Sequence, residues 1–211
     1  MQPSMPSERA SENAARSRPI CNKKRLLNPV CPAGEALDHA KLGERVRFKQ
    51  SDVLDLGALE DHGFDVIVSE RCIINLKDWE EQKAAILNMK WKLRPSGKLL
   101  LVENTQEGLA VLNSLRAQFG LHEIKTRWHN FYVPQKQLEE WLPEYFRIDS
   151  VENIGNLYYI MSRVLYASLA RRSDEEPDYN HPINEIASQL PTLGSYSFSP
   201  NFLYRLTSSC T

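Results

Sequence analysis

FDVIVSERCIINL, Phe64 to Leu76, is an apolar run that breaks in its middle. Val66, Ile67 and Val68 read as the core of a β-strand, because a short unbroken run of β-branched side chains suits a pleated surface. With no polar alternation across Phe64 to Ser69, the pattern predicts burial on both faces, as in a parallel strand covered by helices. Ser69, Glu70, Arg71 and Cys72 interrupt the run, and Ile73, Ile74 and Leu76 resume it. The interruption marks the place where the chain leaves the sheet.

Downstream, Asp78 has the side chain of a helix N-cap, with Glu81 three residues on as its capping-box partner. Ile86, Met89 and Leu93 form the buried stripe of that helix. Pro95 disfavours helical geometry at Arg94, so the helix is expected to end there. Arg94-Pro95-Ser96-Gly97 suits a type I turn, with Pro second and Gly fourth. Leu99 to Val102 is then a further buried strand, ending in Glu103-Asn104. Leu109, Leu112, Leu115 and Phe119 follow at helical spacing.

Pro134 starts a short helix with Leu138, Trp141 and Leu142 inward, and Pro143 stops it. Phe146 to Val151 alternates as a strand. Asn156 to Arg172 reads as one helix rich in aromatics. Pro182 opens another, with Ile183, Ile186, Ala187 and Leu190 inward, and Phe198 to Leu206 is a final strand. Upstream of the opening stretch, GEALDHAKLGE from Gly34 reads as a short helix ending near Gly43. Val46-Arg47-Phe48-Lys49 alternates as a strand that stops at Ser51-Asp52.

Strands alternating with helices predict an α/β fold with a mostly parallel sheet. Ligands of such sheets bind outside the carboxyl ends of the strands. Three strand exits are therefore candidates: Ser51-Asp52, Ser69-Glu70-Arg71 and Glu103-Asn104.

A chain of 211 residues, 42% hydrophobic and 25% charged, suits one globular domain with or without a tail. Residues 1–33 lack periodicity and carry Arg9, Arg16, Arg18, Lys23, Lys24 and Arg25 against Glu8 and Glu12, which predicts a disordered basic tail ahead of a domain at 34–211. The net charge of −1 gives no general attraction to nucleic acid or to an anionic membrane. No apolar run approaches the ~20 residues of a membrane helix, and the polar N-terminus lacks the apolar centre of a signal peptide, so a cytoplasmic protein is expected. Four cysteines, at 21, 31, 72 and 210, form no CxxC pair, and neither a disulfide framework nor a metal site is expected.

Taken in order, RVRFKQSDVLDL, FDVIVSERCIINL and KWKLRPSGKLLLVEN resemble the class I S-adenosylmethionine-dependent methyltransferases. The likeness covers about residues 35–110. It implies a Rossmann-like methyltransferase sheet with helices on both faces, and S-adenosylmethionine as cofactor. It also implies roles. Asp52 matches the acidic residue that receives the adenine amino group, with the Val53 amide beside the ring. Ser69, Glu70 and Arg71 match the exit facing the sulfonium and the substrate, and Glu103 and Asn104 the next exit, nearer the substrate. RPSG stands where the family usually has Pro-Gly-Gly. The family's Gly-rich GxGxG loop has no counterpart, since no two of the nine glycines are separated by a single residue. Nor has the acidic residue that holds the ribose hydroxyls. The expectation is an N-terminally incomplete sheet.

Methyl transfer requires the nucleophile in line with the methyl–sulfonium bond and, for an oxygen nucleophile, a base. In TRWHNFYVP, Thr126 to Pro134, His129 is the candidate catalytic base, and Asn130 and Tyr132 are candidate substrate contacts. The alternative is an ordinary loop histidine over packed aromatics. Glu70 and Arg71 read equally as a solvated pair. Tyr159, Arg163 and Tyr166 share a helix face at i, i+4 and i+7. That face suits an anionic substrate group, an amphipathic packing surface, or a dimer contact. The function expected is methyl transfer to a small-molecule or glycan-type acceptor. The alternative is a non-catalytic remnant that binds a partner through an exposed sheet edge. A nicotinamide dehydrogenase would need GxGxxG, which is absent.

Overall fold

The computed structural model describes residues 51–59, 61–178, 180–191 and 197–209. The predicted tail, the helix from Gly34 and the strand at Val46 lie outside them. The strand read from the opening stretch is β1, Phe64–Glu70. Asp78 caps α1, Trp79–Lys92, its Oδ1 accepting from the Glu81 amide at 2.9 Å. Glu81 returns a bond to Lys77 N rather than to the cap residue, so the capping box is half formed. The helix stops at Lys92, with Leu93 as its C-cap, slightly ahead of the expected Arg94.

β2, Leu93–Asn104, runs parallel to β1. Phe64 pairs with Leu93 and Val66 with Lys98, so Arg94 to Gly97 bulge out of the ladder. Ser96 has φ 60°. A left-handed third residue belongs to type II turns, so the type I expectation is corrected. Gly97 is required by its surroundings: a Cβ there would stand 2.9 Å from the carbonyl oxygens of both Arg94 and Phe64.

Thr105 caps α2, Gln106–Gln118, by accepting from the Gly108 amide. Pro134 precedes α3, Gln135–Trp141, which buries Leu138 and leads into the 3₁₀ turn Leu142–Glu144. β3, Phe146–Asn153, follows. The helix expected over 156–172 consists of α4, Asn156–Tyr159, a π-helical segment, Ile160–Leu165, and α5, Tyr166–Arg172. α6 spans Pro182–Ser188. Asn184 and Ala187 are its buried positions, whereas Ile186 and Leu190, expected inward, are exposed. β4, Asn201–Ser208, closes the chain.

The sheet order is β1-β2-β4-β3. β4 lies between β2 and β3 and is antiparallel to both, so only the β1–β2 half fits the predicted parallel pattern. The core lies on the face that carries Leu99, Leu101, Tyr204 and Leu206, where Ile86 of α1 and Leu138 of α3 cover it. Tyr204 Oη donates to Glu139 Oε1 at 3.0 Å and ties α3 to the sheet. The other face differs from expectation. Val66 and Val68 are 49% and 63% exposed, so β1 is not buried on both faces by the described residues. Alternate residues of a strand point to opposite faces, and the described helices bury only one of them here.

Candidate functional site

β1 and β2 end side by side because they are parallel. The Arg71 amide donates to Val102 O at 2.8 Å, extending the ladder by one residue. The backbone then turns sharply: Arg71 has φ 49°, a left-handed conformation uncommon outside glycine. Three bonds hold that turn. Asn75 Nδ2 donates to Arg71 O at 2.8 Å. Glu103 Oε1 accepts from the amides of Cys72 and Ile73 at 3.0 and 3.1 Å. The exit loop is thus clamped from β2.

Glu103 is fully buried, and burial pushes its carboxyl up to about 8. The Ile73 and Cys72 amides and the Ser69 hydroxyl pull it the other way without offsetting the lost hydration. Ser69 is buried and donates to Glu103 Oε1 at 3.4 Å. These positions correct the expectation that Ser69 faces the cofactor and Glu103 the substrate. Both side chains sit on the core face and bond to each other. Asn104 is buried as well; its carbonyl accepts from Val133 N at 2.9 Å. Glu103 Oε2, Asn104 Oδ1 and Gln82 Oε1 are buried without a hydrogen-bond partner among the described residues.

The 126–134 loop lies over these exits. Phe131 N donates to Ile74 O at 2.7 Å, and Gln82 Nε2 bridges Phe131 O and Ile73 O at 2.7 and 3.2 Å. Gln106 Nε2 donates to Tyr132 O at 2.9 Å. Tyr132 is therefore fixed beside the exit loop. His129 and Asn130 occupy the turn closed by Asn130 N to Arg127 O, and His129 stands edge-on to Trp128 at 5.2 Å. No hydrogen bond joins His129 to the exit residues among those described.

A third segment completes the cluster. Gly155 has φ 78° and precedes α4; a Cβ there would lie 3.6 Å from the Tyr159 ring and 3.8 Å from Ser199 Oγ. Ser199 and Pro200 lead into β4, and Pro200 O accepts from Thr105 N at 2.7 Å, which places α4 at the end of β2. Tyr158 and Tyr159 meet edge-on at 5.4 Å, and the Arg163 guanidinium lies 5.9 Å from the Tyr158 ring centre. Burial raises the Tyr159 hydroxyl above its ordinary range, and the charges of Arg71 and Arg163 partly oppose that shift. Arg71, Tyr132 and the helix face of Tyr159 and Arg163, from three separate parts of the sequence, thus come together.

Asp52 and Val53 stand apart, on the flank of α1. Asn88 Nδ2 donates to Val53 O and Leu54 O at 3.1 and 2.8 Å, and the Val53 side chain is in the core. Asp52 is exposed, and its Oδ1 accepts from Leu54 N at 2.9 Å. Glu70 is exposed beside Arg71. Among the described residues, no group of three or more His, Cys, Asp or Glu side chains is placed to hold a metal ion. No described helix is long and apolar enough to cross a membrane.

Sequence reasoning missed the roles of Gln82 and Glu103 as braces of the exit loop. Parity along β2 carried the signal for Glu103: Leu99, Leu101 and Glu103 alternate onto one face. Gln82 gave no signal, because its partners lie 9 and 49 residues away.

Residues 28–101 match the family model described as a methyltransferase domain. That match, over 74 of the 211 residues, is in keeping with the resemblance to the class I S-adenosylmethionine-dependent methyltransferases. Three solved structures are similar. One is the N-methyltransferase NodS from Bradyrhizobium japonicum in complex with S-adenosylhomocysteine, at 14% identity over 84% of this chain and 61% of that one, TM-score 0.41. Another is the [4+2]-cyclase SpnF, at 19% identity over 81% and 58%, TM-score 0.45. The third is a methyltransferase from Methanosarcina mazei, at 16% identity over 84% and 79%, TM-score 0.45. The chain spans less than two thirds of the length of the first two. No curated protein matches it.

A methyltransferase domain of this class implies S-adenosylmethionine as cofactor. The described residues fit its adenine end. Asp52 Oδ2 accepts no bond and the Val53 amide donates none among the described residues, so an open acceptor stands beside an open donor. An aminopurine edge presents the complementary N–H and ring nitrogen.

Proposed function

We propose that this chain transfers a methyl group from S-adenosylmethionine to a small-molecule acceptor. The cofactor supplies an electrophilic methyl on its sulfonium. Asp52 and Val53 hold the adenine edge, Glu70 faces the reacting end of the cofactor, and Arg71 faces the acceptor beside it. Tyr132, Asn130, Tyr159 and Arg163 position the acceptor. For an oxygen acceptor, His129 is the candidate base. The observation that carries this reading is the open acceptor–donor pair at Asp52 and Val53 in a chain whose residues 28–101 match the methyltransferase domain.

Calorimetric titration with S-adenosylhomocysteine tests it. Binding is expected, with Asp52→Ala weakening it about tenfold, the loss of one charged hydrogen bond. No heat at millimolar ligand from folded protein would sink the reading. The exposure of Val66 and Val68 favours a second reading, a non-catalytic scaffold that docks a partner on this face of β1. That reading predicts a folded chain without cofactor binding.

A further inference from the structure

The exit loop carries more order than a solvated strand end needs. Arg71 adopts φ 49°, a conformation uncommon for non-glycine residues that the surrounding bonds hold in place. The enforcement is explicit. The Arg71 amide is held by Val102 O, its carbonyl by Asn75 Nδ2, and the next two amides by Glu103 Oε1. A long flexible side chain normally loses rotamer freedom when it binds. Here at least its backbone is fixed beforehand.

What this backbone presents is a guanidinium with no ion pair among the described residues. Glu70 is its exposed sequence neighbour and does not pair with it. Around it stand Tyr132, tied through its carbonyl to Gln106, and Tyr159, seated against Gly155 and Ser199. Neither tyrosine hydroxyl has a hydrogen bond among the described residues. Arg163 brings a second positive charge from the π-helical segment, its guanidinium over the Tyr158 ring. π-Helical turns recur at functional sites because they shift a side chain out of the regular helical register.

Two guanidiniums and two phenols gathered at one exit make a donor-rich, aromatic cluster. A planar guanidinium donates two parallel hydrogen bonds to a carboxylate, and flanking aromatic rings favour a flat body behind that acid group. The geometry points to Arg71, with Arg163, Tyr132 and Tyr159, as a carboxylate-binding subsite for an acceptor that is an aromatic acid. This rests on the proposed methyl transfer for the word acceptor, but the subsite itself does not depend on it.

The shared chemistry, a carboxylate, also occurs on the amino-acid end of S-adenosylmethionine, so the test separates the two sources. The full chain is titrated with 4-fluorobenzoate and with 4-fluorobenzamide, followed by ¹⁹F NMR. S-adenosylhomocysteine binding is measured by calorimetry on the same samples. Wild type is expected to bind the benzoate about tenfold more tightly than the amide, the discrimination of a charged hydrogen bond. Arg71→Ala is expected to erase that preference and leave S-adenosylhomocysteine binding unchanged. Arg71→Lys keeps the charge and part of the preference, and serves if Arg71→Ala does not fold. Equal binding of the two probes by wild type, or an undiminished preference in Arg71→Ala, overturns the subsite. Loss of S-adenosylhomocysteine binding in Arg71→Ala also overturns it, by assigning the arginine to the cofactor. A wild-type chain that prefers the benzoate but ignores S-adenosylhomocysteine upholds the subsite and refutes the methyl-transfer reading.

Discussion

Glu103 on β2 accepts from the backbone amide of Ile73 at 3.1 Å, across the exit of a neighbouring strand. That bond links the penultimate residue of one parallel strand to the loop leaving the other. The loop contains Arg71 and, through Ile74 O, supports Phe131 and the segment that carries Tyr132. A buried carboxylate is costly unless its lone pairs are used, and here one oxygen takes three bonds while the other takes none. The carboxyl shapes the exit, and the cost of burying it appears as resistance to ionisation.

The pH dependence of stability follows from that carboxyl. Its folded value, about 8, stands above the 4.5 of an unperturbed glutamate. The folded state therefore binds the proton more tightly than the unfolded state. The corresponding stability is fully present below about 4.5 and is lost as pH rises through about 8. Glu103→Gln does not titrate, and its amide oxygen still accepts from the Cys72 and Ile73 amides. Urea melts from pH 5 to 9 are expected to show wild type weakening as pH rises and the variant lacking that component. Parallel curves would show that Glu103 does not titrate with folding.

Gly97 gives a backbone test. It lies in the bulge where Phe64 pairs with Leu93, with two carbonyl oxygens at the place its Cβ would take. Neither belongs to a movable side chain. Gly97→Ala is expected to cost about 1–3 kcal/mol, the range for forcing an atom into packed space. Because the bulge joins β1 to β2, the loss is expected to be accompanied by faster amide exchange at Phe64 and Val66. Chemical denaturation and hydrogen exchange measure the two effects. A neutral substitution would mean the bulge relaxes freely.

Features set by near neighbours were legible in the sequence. Asp78 caps α1 and Pro134 opens α3 because caps and prolines act within one turn of themselves. The break at Ser69 to Cys72 marks the strand exit that its pattern predicts. Features set by distant partners were not legible. A run such as Val66-Ile67-Val68 reads the same whether its second face is covered or open. The π-helical segment over Ile160–Leu165 leaves no mark in a periodicity nearly equal to that of an α-helix. The antiparallel insertion of β4 between β2 and β3 depends on which strand edge accepts it, which no local pattern records. At the candidate site, helical spacing already pairs Tyr159 with Arg163, but only the fold joins them to Arg71 and Tyr132. Ser69 and Glu103 were assigned to ligands because strand ends attract that reading; alternation along β1 and β2 places them inward.

The cap at α1 sets a smaller and more local effect. Asp78 Oδ1 satisfies the Glu81 amide, one of the donors that the first helical turn leaves open. Asp78→Ala is expected to lower stability by about 1 kcal/mol. Gln82 lies in that same first turn and braces the exit loop through Ile73 O and Phe131 O. The fraying is therefore expected to loosen the 126–134 loop. Amide exchange at Phe131, whose N–H is held by Ile74 O, reports it. Faster exchange at Glu81 without any change at Phe131 would show that the cap and the loop are uncoupled.

Asp149 joins three strands at once. Lys98 of β2 donates to its Oδ2 at 2.7 Å, Thr207 of β4 donates to the same oxygen at 2.6 Å, and Arg147 donates to Oδ1 at 2.9 Å within β3. The Lys98 and Thr207 hydrogen bonds, followed by that from Arg147, hold its carboxyl well below the usual carboxylate range. A depressed value means the unfolded state binds the proton more readily. The stability is present above the unfolded value, near ~3.9, and is lost as pH falls from there through the folded value. Asp149→Asn keeps the shape and removes the charge, so it is expected to be less stable than wild type at pH 7. The gap narrows on acidification below about pH 4. High salt is expected to narrow it too, because the network is open to solvent. Denaturation at pH 7 and pH 2.5, with and without 1 M sodium chloride, measures both. A gap that stays constant with pH and salt would show that Asp149 acts through packing alone.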